Sequence, residues 1–195
     1  RFTPGTEFAE YEIVELLGRG GMGEVYKARH LNLKKHYALK VLPEAFATAD
    51  DALQRFENEA KVMANLEHPF ITRVEDFRLS DGVYWLRMEL ANGDENGFIS
   101  LQDLAESSDG IIPQEKLYKL MEGVLQGVAY AHEKGIVHRD LKPANILLFR
   151  QQNDETVAKV ADYGLVRIFG DDFLRDRAQH SISMSMHQSI VQDDD

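Results

Sequence analysis

His138-Arg139-Asp140-Leu141-Lys142-Pro143-Ala144-Asn145 sets five polar residues at fixed offsets between an amphipathic run and an apolar one. Polar groups spaced in this way read as a catalytic loop. At an average usage of about 5% per residue type, five specified positions arise by chance in a chain of this length with a probability on the order of 10⁻⁴.

Upstream of the loop, Pro113 to Lys134 has the helical repeat. Leu117, Leu120, Met121, Val124, Leu125, Val128 and Ala131 are expected on its inner side, and Gly135 stops it at the C-cap position. A shorter helix is expected over Leu101 to Glu106. On the other flank, Val137 to Phe149 and Val157 to Val160 read as short strands bracketing the loop. Towards the N-terminus the character changes. Tyr11 to Leu17, Glu24 to His30 and Lys35 to Leu42 are β-type runs separated by glycines and polar turns, predicting three antiparallel strands. Asp50 to Leu66 follows with apolar residues at Phe56, Ala60, Met63 and Leu66, the period of one helix. Thr72 to Leu79 and Val83 to Glu89 flank Ser80-Asp81-Gly82, a turn signal between two more strands. The pattern predicts a lobe of five strands and one helix. Asn92 to Gly97 is polar and glycine-rich, and separates that lobe from a helical one.

The 195 residues are 44% hydrophobic, enough for one sizeable core or two small ones. A net charge of −11, from 22 basic and 33 acidic residues, argues against broad binding to nucleic acid or anionic lipid. It does not exclude a small polyphosphate, which a local nest of N–H groups and one or two cations can hold. With no cysteine there is no disulfide framework, thiolate nucleophile or cysteine zinc site. No run approaches the ~18 apolar residues of a membrane span.

The loop resembles the catalytic loop of eukaryotic-type protein kinases, H-R-D-L-x-x-x-N. Other signatures of that family follow in the expected order. Leu17-Gly18-Arg19-Gly20-Gly21-Met22-Gly23-Glu24-Val25 matches the glycine-rich loop, Ala38-Leu39-Lys40 the strand lysine, Glu59 the helix glutamate, and Asp162-Tyr163-Gly164 the D-F-G triplet. The sequence is most similar to bacterial serine/threonine kinases, over roughly Tyr11 to Arg167. The resemblance implies an α+β, bilobal fold: an N-terminal extension at 1–10, a five-stranded antiparallel N-lobe with one helix at 11–91, a truncated, mainly helical C-lobe at 92–169, and an incomplete activation segment at 170–195. It also implies ATP and Mg²⁺ as cofactors, a protein Ser/Thr hydroxyl as acceptor, and a cytoplasmic location.

Gly18, Gly20, Gly21 and Gly23 permit close backbone approach to a phosphate chain. Glycines in this pattern also mark dinucleotide sites, but there they open a helix, whereas Glu24 to His30 has strand character. Lys40 shares a strand face with Ala38, opposite Tyr37, Leu39 and Val41; Ala38 and Val25 leave room for a flat base. The resemblance pairs Lys40 with Glu59, although Glu57 is equally close in sequence. It makes Asp140 the group that takes or orients the proton of the acceptor hydroxyl, and Lys142 the cation that neutralises the moving phosphoryl. Asn145 and Asp162 become the oxygen ligands of Mg²⁺. Met88, Glu89, Leu90 and Ala91 take the hinge position that offers backbone groups to adenine, with Leu147 as the floor, and His138 is expected to pack the loop.

Two departures stand out. Tyr163 replaces Phe in D-F-G and adds a hydroxyl that needs a partner if buried. No A-P-E triplet follows, so the chain is expected to stop inside its activation segment, with unpartnered apolar surface that favours self-association. Ser181, Ser183, Ser185 and Ser189 are candidate phosphorylation sites facing Arg139. The alternative of another class is a pseudokinase that binds ATP without transferring phosphate.

Overall fold

The computed structural model describes residues 2–20, 23–43, 65–108 and 110–163, together with 54, 58 and 61–63. The expectations for Gly21, Glu57, Glu59, Gly164 and the serines beyond 180 lie outside the described residues.

Among the described residues, the strands of the N-terminal half form one antiparallel sheet. Its strands are β1 (Glu7–Phe8), β2 (Tyr11–Gly20), β3 (Gly23–His30), β4 (His36–Val41), β5 (Val74–Ser80) and β6 (Val83–Met88). They lie in the order β1-β2-β3-β4-β6-β5. The Ser80-Asp81-Gly82 signal is the β5–β6 turn, with Asp81 and Gly82 both at positive φ (51° and 75°). Pairing β4 with β6 aligns Ala38 with Met88 and Lys40 with Leu86, so the two strands present Ala38, Lys40 and Met88 along one edge of a cleft.

Six strands rather than five form the sheet, because the N-terminal extension joins it. Glu7 and Phe8 pair with Glu12 and Tyr11 across a turn in which Ala9 takes φ 51°. Phe8 packs edge-on to Trp85 (6.2 Å) and Phe2 against Phe8 and Tyr26 (4.5 and 5.7 Å). Those rings close the sheet's outer apolar core of Tyr11, Ile13, Tyr26, Ala28, Leu39 and Trp85. Aromatic burial of this kind is worth several kcal/mol in aggregate, at about 25 cal/mol per Å² of apolar area removed from water.

The second half is built on α1 (Leu101–Ser107), α2 (Gln114–Glu133), a 3₁₀ turn (Pro143–Asn145) and the hairpin β7 (Ile146–Arg150) and β8 (Thr156–Val160). Only Ile146 to Arg150 of the predicted run from Val137 is strand; Pro143 and the loop's own side-chain hydrogen bonds take the earlier residues out of extended pairing. α1 starts on a capping box: Ser100 Oγ accepts the Asp103 N–H at 3.1 Å and Asp103 returns a carboxylate to the Ser100 N–H at 2.9 Å.

On α2, Leu120, Val124 and Ala131 are buried as the period requires, but Leu125 is 64% exposed. It sits one residue, or about 100°, past Val124, beyond the edge of the apolar stripe. Gly123 and Gly127 are buried instead. A Cβ on Gly127 would lie 2.8 Å from the Phe70 carbonyl, and one on Gly123 2.6 Å from the Phe70 ring. The helix therefore approaches Phe70 and Ile71 more closely than any side chain would permit.

That contact joins the halves. Phe70 to Thr72 runs alongside β8: Val160 donates to the Phe70 carbonyl and Thr72 to the Val160 carbonyl, each at 2.9 Å. Among the described residues, no helix is long and apolar enough to cross a membrane.

Candidate active site

The loop from His138 is held by its own polar groups. The Asp140 N–H donates to His138 Nδ1 at 3.2 Å, so that nitrogen is an acceptor. His138 Nε2 then carries the proton and donates to the Ala161 carbonyl at 2.7 Å. A buried neutral imidazole thus tethers the loop to the residue before Asp162, the packing role expected of it. Tyr163 lies edge-on to the same ring at 4.7 Å. Asn145 makes a second tether: its Nδ2 donates to the Asp140 main-chain carbonyl (2.7 Å) and to Asp140 Oδ2 (3.2 Å), while the Asn145 main-chain carbonyl accepts the Ala161 N–H at 2.8 Å. Since Nδ2 faces Asp140, the Asn145 side-chain oxygen is the atom left to face the cleft. Lys142 Nζ bonds Asp140 Oδ2 at 2.9 Å.

Arg139 and Asp162 both adopt left-handed backbone, at φ 66° and 64°. Such conformations cost non-glycine residues on the order of 1 kcal/mol or more and concentrate at functional sites. At Asp162 the strain turns the carboxylate towards the sheet. Its Oδ2 accepts Lys40 Nζ at 2.7 Å, and the Lys40 side chain is only 4% exposed against 24% for Asp162. The lysine expected to meet Glu59 therefore has Asp162 as its partner among the described residues.

Two adjoining clefts lie between the halves. One, about 650 Å³, is walled by Leu17, Gly18, Val25, Ala38, Met88, Glu89, Ala91 and Leu147, and reaches Asn145 and Asp162. Its size is that of a ligand site, and its walls are mostly apolar. At the hinge, the Glu89 carbonyl and the Ala91 N–H have no hydrogen-bond partner among the described residues. The Glu89 side chain is committed elsewhere, to Lys159 Nζ (2.7 and 2.9 Å) and the Arg73 N–H (2.8 Å), a tie between hinge and hairpin that the sequence did not suggest.

The other cleft, about 280 Å³, gathers Gly18, Arg19, Gly20, Gly23, Lys40, Asp140, Lys142, Asn145 and Asp162. Three cations, Arg19, Lys40 and Lys142, thus face one concavity of an acidic protein. The glycines divide by role. Gly23 has φ 112°, and a Cβ there would lie 2.1 Å from the Val41 carbonyl, so the sheet itself requires glycine. At Gly18 and Gly20 a Cβ would meet nothing within 4 Å, leaving the space beside them to a ligand. Across the turn Arg19 Nε meets Glu24 Oε1 at 2.6 Å, Glu24 also accepts from the Tyr26 hydroxyl, and that hydroxyl accepts the Phe2 N–H at 3.2 Å. A hydrogen-bonded chain therefore runs from the N-terminal segment to the glycine turn.

Desolvation raises the Tyr163 phenol to about 12. Neighbouring the hinge, Lys116 bridges buried Asp94 (3.0 Å) and exposed Glu95 (2.7 Å), and its hydrogen bond is the main cause that brings the Glu95 carboxyl down to about 2.

A glycine turn on a six-stranded antiparallel sheet, a buried strand lysine and an Asp/Asn-bearing loop across a cleft define a protein kinase fold. The protein kinase domain model matches residues 11–182, and the chain belongs to that family. It is 35% identical over 161 residues to the serine/threonine-protein kinase PknI of Mycobacterium tuberculosis, covering 83% of this chain and 27% of the relative. With PknF of the same organism it shares 37% identity over 161 residues, covering 83% and 33%. The chain therefore spans about a third or less of the length of these curated relatives. Among solved structures, a double mutant of the M. tuberculosis PknI kinase domain superposes with a TM-score of 0.70 at 33% identity, covering 85% of this chain and 64% of that one.

Proposed function

We propose that this chain is the catalytic part of a serine/threonine protein kinase that transfers the γ-phosphoryl of ATP to a protein hydroxyl, its N-lobe at 11–91 and C-lobe from 92 onward. The observation carrying this reading is the convergence of Lys40, Asp140, Lys142, Asn145 and Asp162 on one cleft that continues into an apolar slot.

Adenine fits the larger cleft, between Val25 and Ala38 above and Leu147 below, with the Glu89 carbonyl and Ala91 N–H on its edge. Gly18 and Gly20 leave room for the phosphates, and Lys40, oriented by Asp162, meets them as a buried cation. The donor set suits Mg²⁺: one carboxylate and one carboxamide oxygen, few enough that phosphates and water complete the shell. No group of three or more His, Cys, Asp or Glu that could cage a metal occurs among the described residues. When bound, Mg²⁺ supplies charge neutralisation on the phosphate oxygens. Asp140 takes or orients the acceptor hydroxyl's proton, and its hydrogen bonds to Asn145 and Lys142 hold it beside the metal ligand. Lys142 sits where charge builds on the transferred group. Glu59, the family's partner for Lys40, would orient that lysine towards the phosphates.

Transfer of labelled γ-phosphate to a protein acceptor by the full-length protein, wild type against Asp140→Asn, tests the reading. A loss of about 10²-fold or more in rate with ATP affinity retained is expected. Equal rates would refute the role of Asp140. Mg²⁺-dependent ATP binding with no transfer by the wild type would favour the pseudokinase alternative.

A further inference from the structure

Beside Asp162 and Tyr163 lies a cavity with about 10 Å³ open to a water-sized sphere. Its walls include Met63, Leu86 and Met88, and three polar residues reach it: Thr72, Asp162 and Tyr163. The Thr72 and Tyr163 hydroxyls are both buried, and neither has a hydrogen-bond partner among the described residues, so they do not bond each other. Thr72 is 7% exposed and Tyr163 4%. Buried hydroxyls in native proteins are almost always paired, and each left alone is unfavourable. Two orphans on one cavity are better explained by a shared partner than by two separate penalties.

We propose that Thr72 and Tyr163 hold a single internal water molecule in this cavity. The size decides the ligand. A water needs roughly 10–15 Å³ of such space and two to four polar partners, so one molecule fits and no larger group does. The phenol, the better donor, donates to the water. The water donates one hydrogen to Thr72 Oγ1 and turns the other towards Asp162, whose carboxylate supplies acceptor capacity beyond the Lys40 bond. The site depends on tyrosine rather than phenylalanine in the D-Y-G triplet and on threonine at the start of β5's approach. It does not depend on the proposed activity.

The sign of two substitutions tests it. Urea unfolding of the full-length protein is followed by hydrogen exchange in the peptides that carry Thr72 and Tyr163, in the wild type, Tyr163→Phe, Thr72→Val and the double variant. If a water bridges the hydroxyls, each single change raises the unfolding constant about fivefold or more, because it strips a partner from a buried polar group. The double change raises it by less than the product of the two, since the cavity then becomes uniformly apolar and no water need remain. If the hydroxyls are true orphans, each substitution removes an unpaired group and lowers the unfolding constant, which overturns the proposal. A high-resolution crystal structure gives the second readout: a solvent peak within hydrogen-bonding distance of both oxygens is expected. Direct contact between the hydroxyls, or an empty cavity, would overturn the assignment.

Discussion

Removing either partner of the Lys40–Asp162 pair should cost unequal amounts of stability, and the inequality follows from their exposures. Breaking a buried ion pair from one side costs roughly 3–5 kcal/mol, most of it the penalty of the charge left behind. In Asp162→Asn the charge left behind is the Lys40 ammonium, whose side chain is 4% exposed and cannot reach bulk water without leaving the cleft. The asparagine carbonyl still accepts one hydrogen bond, so the cost falls to the lower end, about 3 kcal/mol. In Lys40→Met the remaining group is the Asp162 carboxylate, 24% exposed and open to hydration from the cleft, and the methionine keeps the apolar stem packed. About 1 kcal/mol is expected there. The difference of about 2 kcal/mol corresponds to roughly a thirtyfold difference in unfolding constant. Urea denaturation at neutral pH, in the absence of nucleotide, measures it. The double variant should recover most of the loss, because no buried charge remains. Equal costs for the two single variants would mean that Lys40 is solvated or otherwise paired when Asp162 is neutral, and would refute the reasoning.

Three further outcomes follow from the geometry. Gly23→Ala should severely destabilise the sheet, since its Cβ would meet the Val41 carbonyl at 2.1 Å, whereas Gly20→Ala should leave unfolding unchanged and weaken ATP binding; thermal unfolding with and without nucleotide separates the two. Gly127→Ala should lower stability despite a gain of about 1 kcal/mol in helix propensity, because the backbone carbonyl of Phe70 stands 2.8 Å from the new carbon. The Glu95 carboxyl is held low, at about 2, so its contribution is present above the unfolded value near 4.5 and is lost as pH falls from there towards 2; Lys116→Met should flatten the stability profile across that window, as an acid titration of the unfolding midpoint would show.

The residues proposed to carry the chemistry were legible because the proposed reaction dictates their types. An amine for phosphate and oxygen donors for Mg²⁺ admit few substitutes, so Lys40, Asp140, Asn145 and Asp162 could be read from spacing and resemblance. What supports them was less legible. Two residues, Glu7 and Phe8, cannot display alternation, so β1 was invisible until Phe2 and Phe8 were seen packed on Tyr26 and Trp85. The reason for Gly123 and Gly127 lies in Phe70, more than fifty positions away in sequence, and helical periodicity ignores it. Glu89 was expected at the hinge for its backbone alone. Its side-chain bond to Lys159 joins residues 70 positions apart, which no local pattern records. The pairing of Lys40 depended on a register between lobes; the structure supplies Asp162, at the cost of a left-handed backbone that sequence does not announce.

The dependence of ATP affinity on Mg²⁺ tests the account's core most directly, because it asks whether the cleft holds phosphates between a sheet-borne ammonium and oxygens from the other lobe. Calorimetric titration of the full-length protein with ATP should show binding that tightens markedly when Mg²⁺ is added, with Asp162→Asn abolishing the Mg²⁺ effect and Lys40→Met weakening binding at every Mg²⁺ concentration. ATP affinity indifferent to Mg²⁺, or unchanged in both variants, would contradict it.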